Sequence, residues 1–354
     1  MNSFELNMLP WHLVFGAGTI AQLPDQMADL SLSRALVIST PEQAAQADHV
    51  SALLGTRAAG KFTEARMHVP IETATTAREL ARDLECDCSV SIGGGSTTGL
   101  GKALALDPGI PLIAIPTTYA GSEMTNIWGI TDDGRKQTGR DLRVLPRLTI
   151  YDAELSRELP LSITGPSAMN AMAQATVNAY DPRVSPLVRT MALEAIGTIA
   201  QALPVVMAKS DDIVAREKLL YGASLAAAAL GTGVTSLHHK LCHTLGGTFN
   251  TPHAETHTIM LPYSTAYSSA AVPELMAEIA SKLGSKSAAG GIYDLAAGLG
   301  LPHSLPAIGI KEGDLDRIAG IVMEQVPDNP ESVTRDKLMQ LLNDALAGKR
   351  PAAE

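Results

Sequence analysis

The stretch Cys88–Leu106, CSVSIGGGSTTGLGKALAL, sets the fold. Its first five residues are short, uncharged and carry Val90 and Ile92, which suits a strand buried on both faces. Gly93, Gly94 and Gly95 follow, and from Thr97 to Leu106 apolar residues recur at helical spacing. Strand, glycine turn and helix make the opening of a βαβ unit. A turn without Cβ atoms lets backbone N–H groups face an anion at the helix N-terminus, as a pyrophosphate requires. The loop is not a Walker A sequence, because Gly101-Lys102 is followed by Ala103 and Ser96 stands where the first glycine belongs. Nor is it a GxGxxG fingerprint, and Gly16-Ala17-Gly18 lacks the third glycine. A tight turn needing positive φ would also select glycine, so the neighbouring segments decide.

Outward from this stretch, Arg34–Ser39 (RALVIS), Pro111–Ile115 (PLIAI) and Leu148–Tyr151 (LTIY) read as further strands, and Thr75–Glu85 as an amphipathic helix between two of them. The rhythm predicts a parallel sheet. Ligands of such sheets gather at the carboxyl ends of strands, and there lie Pro116-Thr117-Thr118 and Gly121-Ser122-Glu123-Met124-Thr125-Asn126. The expected dinucleotide contacts are therefore Gly93, Gly94, Gly95, Ser96, Thr97, Thr117, Thr118, Ser122 and Asn126. Strand RALVIS ends in Ser39-Thr40, where an acidic residue often meets the ribose hydroxyls. A short hydroxyl at Ser39 repels no 2′-phosphate, so NADPH is expected alongside NADH. Ile127–Gly139, with Asp132-Asp133-Gly134 in its middle, predicts a hairpin, on which Lys136 is a further cofactor candidate.

Beyond Asp152 the strand signal stops, and segments near 163–180, 186–208, 211–232 and 234–247 read as helices. At 354 residues and 37.1 kDa the chain exceeds a single core. The expected division is an α/β dinucleotide-binding domain over 1–155 and an all-α substrate domain over 156–354. The net charge of −10, with 27 scattered basic residues, argues against nucleic acid. The N-terminal MNSFELNMLP lacks the basic and apolar regions of a leader, and no apolar run reads as membrane-spanning, so a cytoplasmic protein without a membrane partner is expected. Cys86, Cys88 and Cys242 match no metal or redox spacing and are expected as free thiols.

Four motifs together carry a resemblance: Gly93-Gly94-Gly95-Ser96, Pro116-Thr117-Thr118, Gly121-Ser122-Glu123, and Leu237–Gly247 (LHHKLCHTLGG) continuing to Asn250-Thr251-Pro252-His253. With them the chain resembles, nearly end to end, the iron-containing (group III) alcohol dehydrogenases, a dehydroquinate synthase-like family. The resemblance implies an NADH- or NADPH-binding α/β domain, a helical domain and a homodimer. It is strongest to members that reduce the carbon–carbon double bond of a small dicarboxylate. The other reading is a metal-dependent alcohol dehydrogenase acting on a small polyol or aldehyde.

Metal-binding members have an Asp and a His four residues apart on a helix, plus two His separated by fourteen residues. The second pair matches His239 and His253. At the first, this chain carries Asn170 and Gln174. Neutral amides contribute no charge to a cation, so no metal is expected. Asn170 and Gln174, one helical turn apart, instead offer donors and acceptors to a substrate carboxylate. His239, His243, His253 and Lys240 are then the catalytic candidates, with His243 favoured as proton donor, and Tyr263 a substrate-binding candidate. His238 reads equally as core-satisfied or cleft-lining, and His257, like Tyr263, reads equally as a plain helix or loop residue.

Overall fold

The computed structural model describes residues 3–352, apart from Gly134 and the side chain of Lys136. The chain divides into two compact units, Met8–Leu159 and Pro160–Glu354, the latter with Met1–Asn7. The division falls a few residues after the position expected from the loss of strand signal.

The first unit is built on eight strands: β1 (Leu13–Phe15), β2 (Ala35–Ile38), β3 (Ala58–Phe62), β4 (Cys88–Gly93), β5 (Leu112–Pro116), β6 (Ile127–Asp132), β7 (Arg135–Arg140) and β8 (Leu148–Tyr151). Six form one parallel sheet in the order β1-β8-β5-β4-β2-β3. Helices α1 (Leu23–Asp29), α2 (Ala44–Leu54), α3 (Ile71–Asp83) and α4 (Gly95–Leu106) connect them. The period of two along β2 shows why both faces are covered: Ala35 and Val37 join a core with Leu23, Met27 and Val50 from α1 and α2, while Leu36 and Ile38 join one with Ala77, Leu100 and Leu104 from α3 and α4. The chain leaves β2 for β3 on one side and returns to β4 on the other. This reversal opens a crevice at the carboxyl ends of β2 and β4. β6 and β7 form the antiparallel hairpin, and Asp133 in its turn has φ 44°.

The second unit is helical: α5 (Leu161–Tyr180), α6 (Pro186–Ala208), α7 (Ile213–Thr232), α8 (Leu237–Phe249), α9 (His253–Ser269), α10 (Pro273–Lys282), α11 (Ala288–Gly298), α12 (Leu315–Glu324) and α13 (Arg335–Ala347). From Thr164 onward every residue of α5 is buried, so it is the central helix, small or apolar but for the buried amides of Asn170, Gln174 and Asn178 and the terminal Tyr180; α6, α7 and α9 pack on it. One expectation is corrected here. α6 is long and apolar enough to cross a membrane by length and composition. It nevertheless lies along α5 and α7, with Ala192, Ile196, Ile199 and Leu203 buried in the unit. A second core joins α8, α9, α12 and α13 through Leu241, Cys242, Leu245, Met260, Tyr263, Val322 and Leu342. Cys86, Cys88 and Cys242 are free and buried.

Candidate functional site

In the α/β unit, the turn after β4 needs its glycines. Gly93 has φ 141°, and a Cβ there would collide with Gln43 Oε1 and stand 2.9 Å from Thr97 Oγ1. A Cβ on Gly94 would lie 3.1 Å from Thr118 Oγ1, so Thr118 closes over the turn. No side chain caps α4 at Gly94. The N–H groups of Gly95, Ser96 and Thr97 therefore begin the helix without a protein acceptor from a cap, the arrangement that receives an anion. Thr97 Oγ1 donates to Gly94 O at 2.9 Å and shapes the turn from inside.

The neighbouring loops are tied to this turn by residues the sequence did not single out. Gln43 Nε2 donates to Thr117 Oγ1 at 2.8 Å, joining the end of β2 to the end of β5. Lys102, fully buried on α4, donates to Thr125 O (2.8 Å), Thr125 Oγ1 (2.9 Å) and Ile127 O (2.7 Å). Burial pulls this amine down to about 7, opposed by the charge of Glu123; three acceptors match the three N–H groups of its protonated form. The clasp fixes the Ser122–Asn126 segment. Asn126 Oδ1 accepts from Arg140 at 3.2 Å. Glu123 is buried, raised by desolvation, and accepts from Tyr151 Oη at 2.8 Å. It is a structural acid beneath the loop.

Ser39 does not present its hydroxyl as expected. The residue is buried and Oγ donates to Thr40 O at 3.0 Å. Exposed Glu42 stands nearby, held below the usual carboxylate range by its own backbone N–H and the Thr40 hydroxyl. A negative charge thus occupies the strand end that the sequence reading left neutral. Lys136 is on β7, and its side chain lies outside the described residues.

The helical unit gathers five imidazoles. His239 and His243 are one turn apart on α8, as are His253 and His257 on α9. Ring centroids lie 5.4 Å apart for His238–His239, 4.9 Å for His238–His257, 5.8 Å for His239–His257, 6.5 Å for His239–His243 and 4.5 Å for His253–His257. His243 and His253 are exposed, while His238, His239 and His257 are buried. Desolvation, reinforced by neighbouring imidazoles, pushes His238 down to about 3 and His239 and His257 well below their ordinary value. These three are neutral. His239 can therefore donate through one nitrogen only.

The network assigns tautomers. Ser264 Oγ donates to Leu261 O at 3.1 Å and so accepts from His238 Nδ1 at 2.9 Å. His238 Nε2 is then an acceptor, and His257 Nδ1, 2.9 Å away, must donate to it. This leaves His257 Nε2 a buried lone pair without a hydrogen-bond partner. Both ring nitrogens of His239 and Asn170 Oδ1 are likewise unpartnered. Buried donors and acceptors left unmet in this way are of the kind that a polar ligand or ordered water satisfies. His257 is the functional candidate that sequence reading missed.

Two candidates are placed elsewhere. Lys240 Nζ reaches Gln325 Oε1 at 3.5 Å, because it sits a hundred degrees around α8 from His239. Tyr263 is buried in the α8–α9–α12–α13 core and donates its hydroxyl to His303 O at 3.0 Å. It is thereby committed to the fold. Asn170 and Gln174 are both buried on α5, which packs against α9. The positions that resemble metal ligands thus offer two neutral amides, one buried neutral imidazole and His253, with no carboxylate. That donor set does not fit a divalent iron or zinc ion, which needs anionic or imidazole ligands to offset its dehydration.

Comparison with known proteins bears on both units. Residues 10–153 match the family described as iron-containing alcohol dehydrogenase, and residues 164–346 the C-terminal part of the Fe-containing alcohol dehydrogenase family. A maleylacetate reductase of Burkholderia cepacia is 49% identical over 352 residues, 99% of this chain and 100% of that protein. The crystal structure of maleylacetate reductase from Agrobacterium tumefaciens superposes with a TM-score of 0.96 at 46% identity, covering 99% of this chain and 100% of the other. That of an iron-containing alcohol dehydrogenase from Corynebacterium glutamicum gives 0.95 at 38% identity, with 99% of each chain covered.

Proposed function

The chain belongs to the iron-containing alcohol dehydrogenase family, and from that membership we propose that it is a maleylacetate reductase that works with NADH or NADPH and without a metal ion. End-to-end likeness to maleylacetate reductases, at 49% and 46% identity, supports the substrate. The observation that carries the metal-free part is the Asn170 and Gln174 amide pair on α5, where metal-binding members resemble one another in a carboxylate and an imidazole.

The turn Gly93–Thr97, with Thr117, Thr118 and the Ser122–Asn126 segment, holds the dinucleotide by backbone and hydroxyl donors. When bound, the reduced nicotinamide supplies the hydride. Maleylacetate is a dianion whose alkene is conjugated to a ketone. Addition of hydride at the carbon β to that ketone drives charge onto the ketone oxygen, which needs preorganised donors. His239 supplies one N–H from a buried, uncharged ring. Conjugation spreads the remaining charge, so hydrogen bonds replace the Lewis acid that polarises a lone carbonyl. Asn170 and Gln174 amides take a substrate carboxylate. His243, exposed and recharged by water, returns the proton to carbon. The enzyme is proposed to be a cytoplasmic homodimer serving the breakdown of aromatic compounds.

The test follows NADH and NADPH absorbance with maleylacetate in the presence of a chelator, alongside elemental analysis. Turnover that survives chelation in protein lacking stoichiometric metal is expected. Stoichiometric iron or zinc with chelator-sensitive turnover overturns the metal-free reading, and no turnover with either nucleotide overturns the substrate.

A further inference from the structure

His238 and Cys242 lie one turn apart on α8, and His257 faces them from α9. Cys242 Sγ, His238 Nε2 and one ring nitrogen of His257 all lie within 4.8 Å of one another. None of the three is at a position resembling the metal ligands of the family. The geometry points to a second, inhibitory site: a thiophilic metal ion of the zinc or cadmium class held by Cys242 Sγ, His238 Nε2 and His257 Nδ1, with a water as fourth ligand.

Four features support it. Bond lengths of about 2.0 Å to nitrogen and about 2.3 Å to sulfur put tetrahedral ligand atoms roughly 3.3–3.6 Å apart. The Cys242 Sγ–His238 Nε2 distance is 3.7 Å, and the His238 Nε2–His257 Nδ1 distance is 2.9 Å. The first edge already fits, the second must open by a tilt of the His257 ring, and the third, from Cys242 Sγ to His257, lies within 4.8 Å. His238 is already oriented by the bond from Nδ1 to Ser264 Oγ, the outer contact that ligating histidines use to fix their tautomer. A donor set with one thiolate carries the negative charge that Asn170 and Gln174 lack. Finally, the exposed ring of His253 stands 4.5 Å from that of His257, so the cluster lies one ring beneath the surface.

Proton balance is simple. Coordination displaces the Cys242 thiol proton to solvent, and the His257 proton moves from Nδ1 to Nε2. His238 keeps its proton on Nδ1. One proton is released per ion bound. The bound ion breaks the His257–His238 hydrogen bond and turns the His257 Nε2 lone pair into a donor. The two ligating rings lie 5.4 and 5.8 Å from that of His239, so moving them displaces the donor to the ketone oxygen; this inhibition rests on the proposed reaction, and the binding does not.

The whole enzyme, freed of metal and chelator, is titrated with Cd2+ and read by thiolate-to-cadmium charge-transfer absorption. The band should saturate at one equivalent. In Cys242→Ser, and in Cys242→Ala as a packing control, the affinity should fall by at least ~10²-fold and the band should vanish. His239→Gln should retain the band. Zn2+ should inhibit NADH oxidation in the parent enzyme and spare Cys242→Ser, whose metal-free rate should be unchanged. A parent protein with no charge-transfer band overturns the site, as does a full equivalent bound with undiminished affinity by Cys242→Ser. A protein that binds Cd2+ as described but does not turn over maleylacetate retains the site and loses only the reaction.

Discussion

His243 and Tyr263 make opposite predictions although both are candidates from one stretch of sequence. His243 is exposed beside the buried imidazoles, so His243→Ala should lower kcat by ~10² if the ring returns the proton. KM should move far less, and steady-state rates with a solvent isotope effect check this. Tyr263 donates to His303 O within a core. Tyr263→Phe should keep near-normal turnover and lose about 1 kcal/mol of stability, read from denaturant midpoints. A substrate contact at Tyr263 would reverse the pattern, raising KM without touching stability.

At the scale of elements, α5 carries the divergence from metal-dependent relatives. Because residues one turn apart project to one side of a helix, the paired change Asn170→Asp with Gln174→His should let the protein copurify with stoichiometric metal. Elemental analysis after purification in iron- or zinc-containing medium reads this directly. In the turn between β4 and α4, Gly93→Ala should weaken NADH binding by at least ~10-fold, since its φ of 141° and the collision with Gln43 Oε1 force the turn to rebuild. Nucleotide fluorescence titration is the check. These elements were legible in the sequence because their pattern is local: β2, β4, β5 and β8 are short runs rich in apolar residues, and α5, α6 and α7 are Ala-rich runs of 20, 23 and 20 residues. β1 and β3 were not. β1 is three residues at the sheet edge, and β3 reads Ala-Ala-Gly-Lys-Phe, a composition with weak strand preference. The same division separates site residues. The Gly93–Thr97 turn announces itself, whereas Gln43, Lys102 and His257 act through partners 74, 23 and 19 residues away, and no local signal marks them.

Across the whole molecule, burying neutral imidazoles links stability to acidity. An unfolded chain protonates His238 near the ordinary imidazole value of 6.5, but the native protein does so only at about 3. Between those limits the unfolded state binds more protons, so stability falls as pH drops through that window and is fully regained above it. His239 and His257 are shifted in the same direction and steepen the loss. Denaturant midpoints measured across the range should show this slope, and His238→Gln should flatten it. The cysteines, finally, answer a hazard set by the proposed substrate. A conjugated alkene is a Michael acceptor, and thiolates add to such carbons. Burial raises the pKa of Cys86, Cys88 and Cys242 alike, keeping each sulfur protonated and shielded. An enzyme so arranged can process an electrophile turnover after turnover without alkylating itself.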